Sequence, residues 1–161
     1  MPIDFFNANL RQKTSGMLFG ICDNQPACLE IHNTDNCGAK IINNNQRSIL
    51  FIPIDHNIII TRANGETEKT CDALLRVESN SEIVFLELTI QRRNWIADKV
   101  EQLQTTILAF NSNHNINFAK RSAYICHKSY PNHKIEINIK NKFKKETNMY
   151  RLYIKYEIKI N

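Results

Sequence analysis

The sequence KTCDALLRVESNSEIVFLELTIQRRNWIADKVEQLQTTILAF, from Lys69 to Phe110, decides the fold. Two apolar runs, 71–77 and 83–90, flank the polar segment 78–82, an order typical of two strands joined by a hairpin loop. The second run is rich in β-branched and aromatic residues. Because it is almost continuously apolar, we expect it to be buried on both faces of a sheet.

Two acidic residues interrupt these apolar runs. Asp72 lies near the start of the first run and Glu87 near the end of the second. A carboxylate in a buried strand destabilises a protein unless it is paired or bound to a metal. If the hairpin pairs symmetrically about Asn80, residue numbers across it sum to about 160, which places Asp72 near Leu88, between Glu87 and Thr89. Because this pairing brings the two carboxylates close together, the sequence predicts a site for a divalent metal ion.

A helix over residues 94–110 is predicted to follow the hairpin, with Asn94 as its cap. Its apolar face repeats at the helical period and consists of Ile96, Val100, Leu103, Ile107 and Phe110. Lys99, Gln102 and Thr106 form a polar stripe beside that face. The stripe is expected to border a site built on the hairpin.

The order of these features resembles the PD-(D/E)xK, or restriction-endonuclease-like, superfamily. The similarity is greatest to one group of small uncharacterised bacterial proteins of that type, and it covers residues 18–111. It rests on CDALL at 71–75, FLELT at 85–89, Trp95-Ile96, EQLQTTI at 101–107, NNNQ at 43–46 and Asp55-His56.

The resemblance implies an α/β fold with a mixed central sheet and flanking helices, forming one nuclease-like domain over residues 1–161. It also implies that Asp72 and Glu87 hold Mg²⁺ or Mn²⁺, and that the chain hydrolyses DNA phosphodiesters, a reaction used in prokaryotic defence. Many such nucleases act as homodimers. A cytoplasmic bacterial protein is expected as well, because neither a bilayer-spanning run nor a signal peptide is recognised in the sequence.

The chain departs from the superfamily pattern at the position of the usual catalytic lysine, which is Thr89 here. A threonine has no charge to stabilise a developing anion. Lys99 on the helix, or Arg92 just past the strand, is expected to approach the Thr89 position instead. Gln102 is expected to orient a water molecule or a phosphate.

Two other interpretations of the acids remain open. The missing lysine favours a catalytically inactive module of the same fold that binds DNA or a partner protein, such as an immunity protein or a subunit of a defence complex. Alternatively, the acids form ordinary salt bridges with Arg76, Arg92 or Arg93, or face solvent.

Charge is unevenly distributed along the chain. Residues 1–119 contain 10 Lys and Arg against 13 Asp and Glu, whereas residues 120–161 contain 11 against 3. A basic segment binds phosphate backbones by releasing counterions, so nucleic-acid contact is slightly favoured over an ordinary solvated surface.

The composition is typical of a soluble protein, with 42% hydrophobic and 23% charged residues among 161. No apolar run approaches the ~20 residues that span a bilayer, and no signal peptide is expected at the start of the chain. Five cysteines at irregular spacing argue against a disulfide framework and favour buried free thiols over a zinc site.

Outside the central stretch, patterns are weaker. An amphipathic helix is conceivable within residues 1–20, and Asp55-His56 is interpreted as a turn rather than a metal or general-base element. A strand at 122–127 is expected to pair in parallel with 83–90. The remaining expectations are strands at 27–32, 38–42, 48–53, 57–62 and 152–160, and a helix at 134–146.

Overall fold

The computed structural model describes residues 2–161, in which two β-sheets are accompanied by two α-helices. The strands are β1 (Gln12–Thr14), β2 (Leu18–Cys22), β3 (Cys28–Glu30), β4 (Ala39–Ile42), β5 (Ile49–Pro53), β6 (Ala73–Val77), β7 (Glu82–Leu88), β8 (Lys120–Cys126), β9 (Arg151–Ile154) and β10 (Glu157–Lys159). The helices are α1 (Ile96–Asn113) and α2 (Ile137–Glu146). The α/β class expected from the sequence is confirmed. Neither helix is long and apolar enough to cross a membrane.

The larger sheet has six strands in the order β1-β5-β6-β7-β8-β9. Its first four strands are antiparallel and its last three are parallel. α1 carries the chain from β7 across to β8, which pairs in parallel with β7 over seven residues, as predicted. Every residue of β7 is buried, in agreement with its continuous apolar sequence.

Two layers of apolar side chains cover the larger sheet. On one face, Leu74 and Phe85 pack with Leu103 and Phe110 of α1. On the other face, residues such as Val84 join side chains of the second sheet, whose strand order is β10-β4-β2-β3. The alternation of side chains along each strand therefore decides which layer a residue enters.

Several expected elements differ in the structure. Residues 2–20 form turns and strands instead of a helix, and residue 1 lies outside the described residues. The segment 57–62 forms no strand and contributes only an isolated bridge between Thr61 and Thr67. The expected strand at 152–160 is two strands, β9 and β10, which belong to different sheets. The alternation of apolar and polar residues cannot show that the chain changes sheet between β9 and β10, because both strands bury alternate residues.

The start of α1 also differs from the expectation. Asn94 has a positive φ of 52° and Trp95 is the N-cap, with no side-chain capping bond. Asparagine adopts the left-handed conformation more readily than other non-glycine residues. Asn94 therefore turns the chain into the helix instead of capping it.

The expectation of free thiols is wrong for two of the five cysteines. Cys22, at the end of β2, and Cys37, before β4, form a disulfide bond. Cys28, Cys71 and Cys126 are free. The pairing of β2 with β4 brings the first two together, and their spacing in the sequence carries no sign of it.

Candidate active site

The β6–β7 hairpin brings Asp72 to the carboxyl end of β7. Its strands pair Ala73 with Leu86, so residue numbers sum to 159, one less than in the pairing drawn from the sequence. One residue further, Asp72 Oδ2 accepts a hydrogen bond of 2.6 Å from the backbone N–H of Leu88. The predicted meeting of Asp72 with the Glu87–Leu88 segment therefore occurs, with the register shifted by one residue.

Lys99 of α1 completes the group by reaching Glu87. Its Nζ donates a hydrogen bond of 2.7 Å to Glu87 Oε1. Glu87 Oε2 is buried and has no hydrogen-bond partner. The Glu87 side chain is only 3% exposed, and that of Lys99 13%. One carboxylate oxygen is thus held by a cation and the other is left unpaired, which is unfavourable in a buried site.

Burial shifts the ionisation of both acids. Burial, together with the charge of Asp72, raises the pKa of Glu87 to about 8, although the bond from Lys99 and its charge oppose the shift. Burial also raises the pKa of Asp72 to about 6, against the lowering effect of the hydrogen bond from Leu88. Because the two acids influence each other, they titrate as a pair and hold fewer negative charges near neutral pH than two exposed acids would.

Two further acids act on this group: Asp23, which was not a candidate, and Asp55, which was interpreted as a turn residue. Asp55 follows β5 and Asp23 follows β2; the charges of both raise the pKa of Asp72. The backbone N–H of Ile54 donates to the carbonyl of Asp72, which fixes the Asp55 turn beside the site. Distant segments meet here because of the strand order, so the proximity of Asp23 and Asp55 to Asp72 is visible only in the fold.

The Asp55-His56 dipeptide forms the expected turn. His56 has a positive φ of 66°, and its Nε2 lies 3.3 Å from Asp55 Oδ2. The hydroxyl of Thr70 donates to Asp55 Oδ1 over 3.4 Å. The turn places Asp55, but not the exposed imidazole of His56, among the charges that act on Asp72.

The remaining candidate residues have other partners. The amide of Gln102 donates to Asp98 Oδ2 at 3.0 Å, and the hydroxyl of Thr89 accepts from the backbone N–H of Gln91 at 3.1 Å. Within residues 2–161, neither Asp72 nor Glu87 forms a salt bridge with an arginine, and Glu87 pairs with Lys99 instead. Arg76 bonds the side chain of Asn80.

Thr106 fixes the position of α1 relative to the start of β6. Its hydroxyl accepts a hydrogen bond of 2.8 Å from the backbone N–H of Cys71 and donates one of 2.8 Å to the carbonyl of Gln102. Thr106 and Cys71 are both fully buried. The bond holds the residue before Asp72 against the helix that carries Lys99.

We expect Thr106→Val to destabilise the protein by about 1–3 kcal/mol, because the buried N–H of Cys71 loses its acceptor while the volume of the side chain is preserved. Urea unfolding followed by circular dichroism measures the change. Thr105→Val, at a half-buried position one residue earlier, is the control and should have little effect. Equal stability of the two variants would contradict a supporting role for this bond.

The donor set fits a hard divalent cation held by few protein ligands. Among residues 2–161, no cluster of three or more His, Cys, Asp or Glu side chains has the geometry of a metal site. Mg²⁺ commonly uses one or two carboxylates and keeps several waters. Asp72 and the unpartnered Oε2 of Glu87 would supply such a pair of oxygen ligands.

Comparison with known proteins gave no match to a family model, to a curated protein or to a solved structure. The site therefore stands on its own geometry: two buried acids and one lysine, held together by a hairpin and the helix that follows it.

Proposed function

We propose that this chain is a metal-dependent nuclease of the PD-(D/E)xK type, with a restriction-endonuclease-like fold, that acts on DNA, with Asp72 and Glu87 as the ligands of Mg²⁺ or Mn²⁺. The observation that carries the proposal is the buried, unpartnered Oε2 of Glu87 beside Asp72. A buried anionic oxygen without a partner is unfavourable, and a bound cation removes that cost. When bound, the cation would supply charge stabilisation to the phosphoryl group and lower the pKa of a bound water.

Lys99 takes the role that the superfamily lysine would have at Thr89. Its ammonium lies 2.7 Å from Glu87 Oε1, so a positive charge stands at the acid pair even though Thr89 is neutral. Burial lowers the pKa of Lys99, but the bond to Glu87 and the charge of Asp72 outweigh burial and raise it. Lys99 therefore stays protonated and stabilises negative charge at the reacting phosphate.

The test is cleavage of supercoiled plasmid and of single-stranded DNA in Mg²⁺, in Mn²⁺ and in EDTA. We expect metal-dependent cleavage by the wild type and a loss of at least about a hundredfold in Asp72→Asn and in Lys99→Met, since electrostatic groups at a reacting centre contribute effects of this size. Glu82→Gln, which removes a buried carboxylate at the other end of β7, is the control for general damage. No cleavage by the wild type in either metal would contradict the proposal.

A second candidate is a module of the same fold that binds DNA or a partner protein without cutting. The Lys99–Glu87 ion pair favours it, because it occupies one of the few carboxylate oxygens a metal ion could use. A module of this kind would bind DNA or a partner protein. It would not cleave DNA in the presence of either Mg²⁺ or Mn²⁺. The same plasmid assay, read together with a binding assay in EDTA, separates the two candidates.

A further inference from the structure

One basic surface, here called the β9 surface, contains cations from α2, from the segment before α2, and from β9 and the residue directly after it. Its members are Lys134, Lys140, Lys144, Arg151, Tyr153 and Lys155. Within residues 2–161, none of these cations has a carboxylate partner within salt-bridge distance. Five positive charges without partners repel one another, and a polyanion relieves that repulsion.

The strand and the helix place these charges in two rows. Arg151 and Tyr153 of β9 and Lys155, directly after the strand, alternate with buried residues and project to the same side, so the row is about 13 Å long. Lys140 and Lys144 are one helical turn apart on α2. The ammonium of Lys140 lies 5.6 Å and that of Lys155 5.5 Å from the centre of the Tyr153 ring, which joins the rows.

Two cavities open along the β9 surface and share Tyr153. One, of about 430 Å³, is bordered by Lys134, Lys140 and Lys155. The other, of about 360 Å³, is bordered by Lys144 and Arg151. The cations are divided between two neighbouring cavities, which makes a phosphodiester backbone a better fit than a single small anion.

A cluster of aromatic rings lies beside the β9 surface. Tyr130 is 36% exposed, and its ring centre lies 6.0 Å from that of Trp95 and 5.9 Å from that of His133. Trp95 directly precedes α1, the helix that carries Lys99, whereas His133 borders the cavity beside Lys155. Tyr130 and His133 therefore place exposed rings beside the β9 surface.

We propose that the β9 surface binds the backbone of a single-stranded nucleic acid, with a base against Tyr130 and His133. The inference rests on the proposed function for the class of ligand, but the binding itself needs no metal. A single strand is favoured over a duplex, because only unpaired bases can present their faces to Tyr130 and His133.

The test measures fluorescence anisotropy of labelled oligonucleotides of about 12 nucleotides in EDTA, in which cleavage cannot occur. Single-stranded DNA, RNA of the same sequence and duplex DNA are the three probes. We expect both single strands to bind more tightly than the duplex. The preference between the DNA and RNA strands identifies which one the surface accepts.

The double variant Lys140→Glu/Lys155→Glu should bind single strands at least about tenfold more weakly, and the slope of log affinity against log salt should fall by about 1.4, the value for two phosphate contacts in a single strand. Arg11→Glu/Lys13→Glu changes the net charge by the same amount at β1, the opposite edge of the sheet, and should keep both values. Tyr130→Ala should weaken binding about tenfold without changing the slope.

Equal losses of affinity in the two charge-reversal variants would overturn the proposal, since any basic edge of the sheet would then bind the oligonucleotide equally well. Unchanged binding in both variants would overturn it as well. The lysines would then serve to protect the exposed edge strand β9 against aggregation. Circular dichroism checks that the variants are folded. A failure of the nuclease proposal can be distinguished from a failure of this one, because binding in EDTA is measured without cleavage. Asp72→Asn should lose cleavage yet keep the wild-type affinity for oligonucleotides in EDTA.

Discussion

Millimolar Mn²⁺ or Mg²⁺ is expected to raise the melting temperature of the wild-type protein by about 5–10 °C, and that of Glu87→Gln by none. A ligand that binds only the native state stabilises it by ~2.7 kcal/mol at a hundredfold excess over its dissociation constant. For a chain of this size, 1 kcal/mol corresponds to roughly 2–4 °C. Glu87→Gln removes the charge repulsion with Asp72 and the metal ligand together.

The matched control for this experiment is Glu82→Gln. Glu82 is also a buried carboxylate of β7, its Oε1 lies 3.4 Å from the ammonium of Lys120, and burial raises its pKa. It stands at the other end of the strand, so its loss should leave the metal response unchanged. Identical shifts in the wild type and Glu87→Gln across the titration would mean that the acid pair does not bind the metal.

Removing Lys99 should produce the largest loss of stability. Lys99→Met leaves the carboxylate of Glu87 buried without its cation, and breaking a buried ion pair in this way costs about 3–5 kcal/mol. The loss should depend on pH. The pKa of Glu87 is already above its unfolded value and rises further without Lys99, so the folded protein holds this proton more tightly than the unfolded chain does.

The sign of the pH dependence follows from that difference. Stability linked to a raised carboxyl pKa is present below the unfolded value, near 4.5, and is lost as the pH rises towards the folded value of about 8. Urea unfolding of Lys99→Met should therefore show a small loss of stability relative to the wild type at pH 5, and a loss that grows as the pH rises through 8. The double variant Lys99→Met/Glu87→Gln should recover most of it. A loss independent of pH would assign the effect to packing of the lysine side chain.

The central part of the fold could be predicted from local patterns. The change from strand to helical period between β7 and α1 is visible in the sequence, and a helical crossover between parallel strands follows from chain geometry. Asp72 and Glu87 stood out because charged residues are rare in such apolar runs. Lys99 was a candidate because it lies one helical turn inside α1 on the side that faces the hairpin.

The rest could not be predicted because it depends on pairing between distant segments. Asp23 and Asp55 join the site through the positions of β2 and β5, and each looks like an ordinary turn residue in the sequence. The bond between Cys22 and Cys37 likewise depends on the neighbouring strands β2 and β4. The hydrogen bond of Gln102 to Asp98, one turn earlier on the same helix, was not foreseen from the sequence.

The hairpin and the helix that hold the acid pair are contiguous in the chain, and this has a consequence for folding kinetics. The bond from Leu88 to Asp72 spans 16 residues and the bond from Lys99 to Glu87 spans 12, whereas Arg47 reaches the carbonyl of Asn161 across 114. Closing a short loop costs less entropy than closing a long one. We therefore expect the acid pair and its lysine to form in the folding nucleus, before β9 and β10 add to the two sheets.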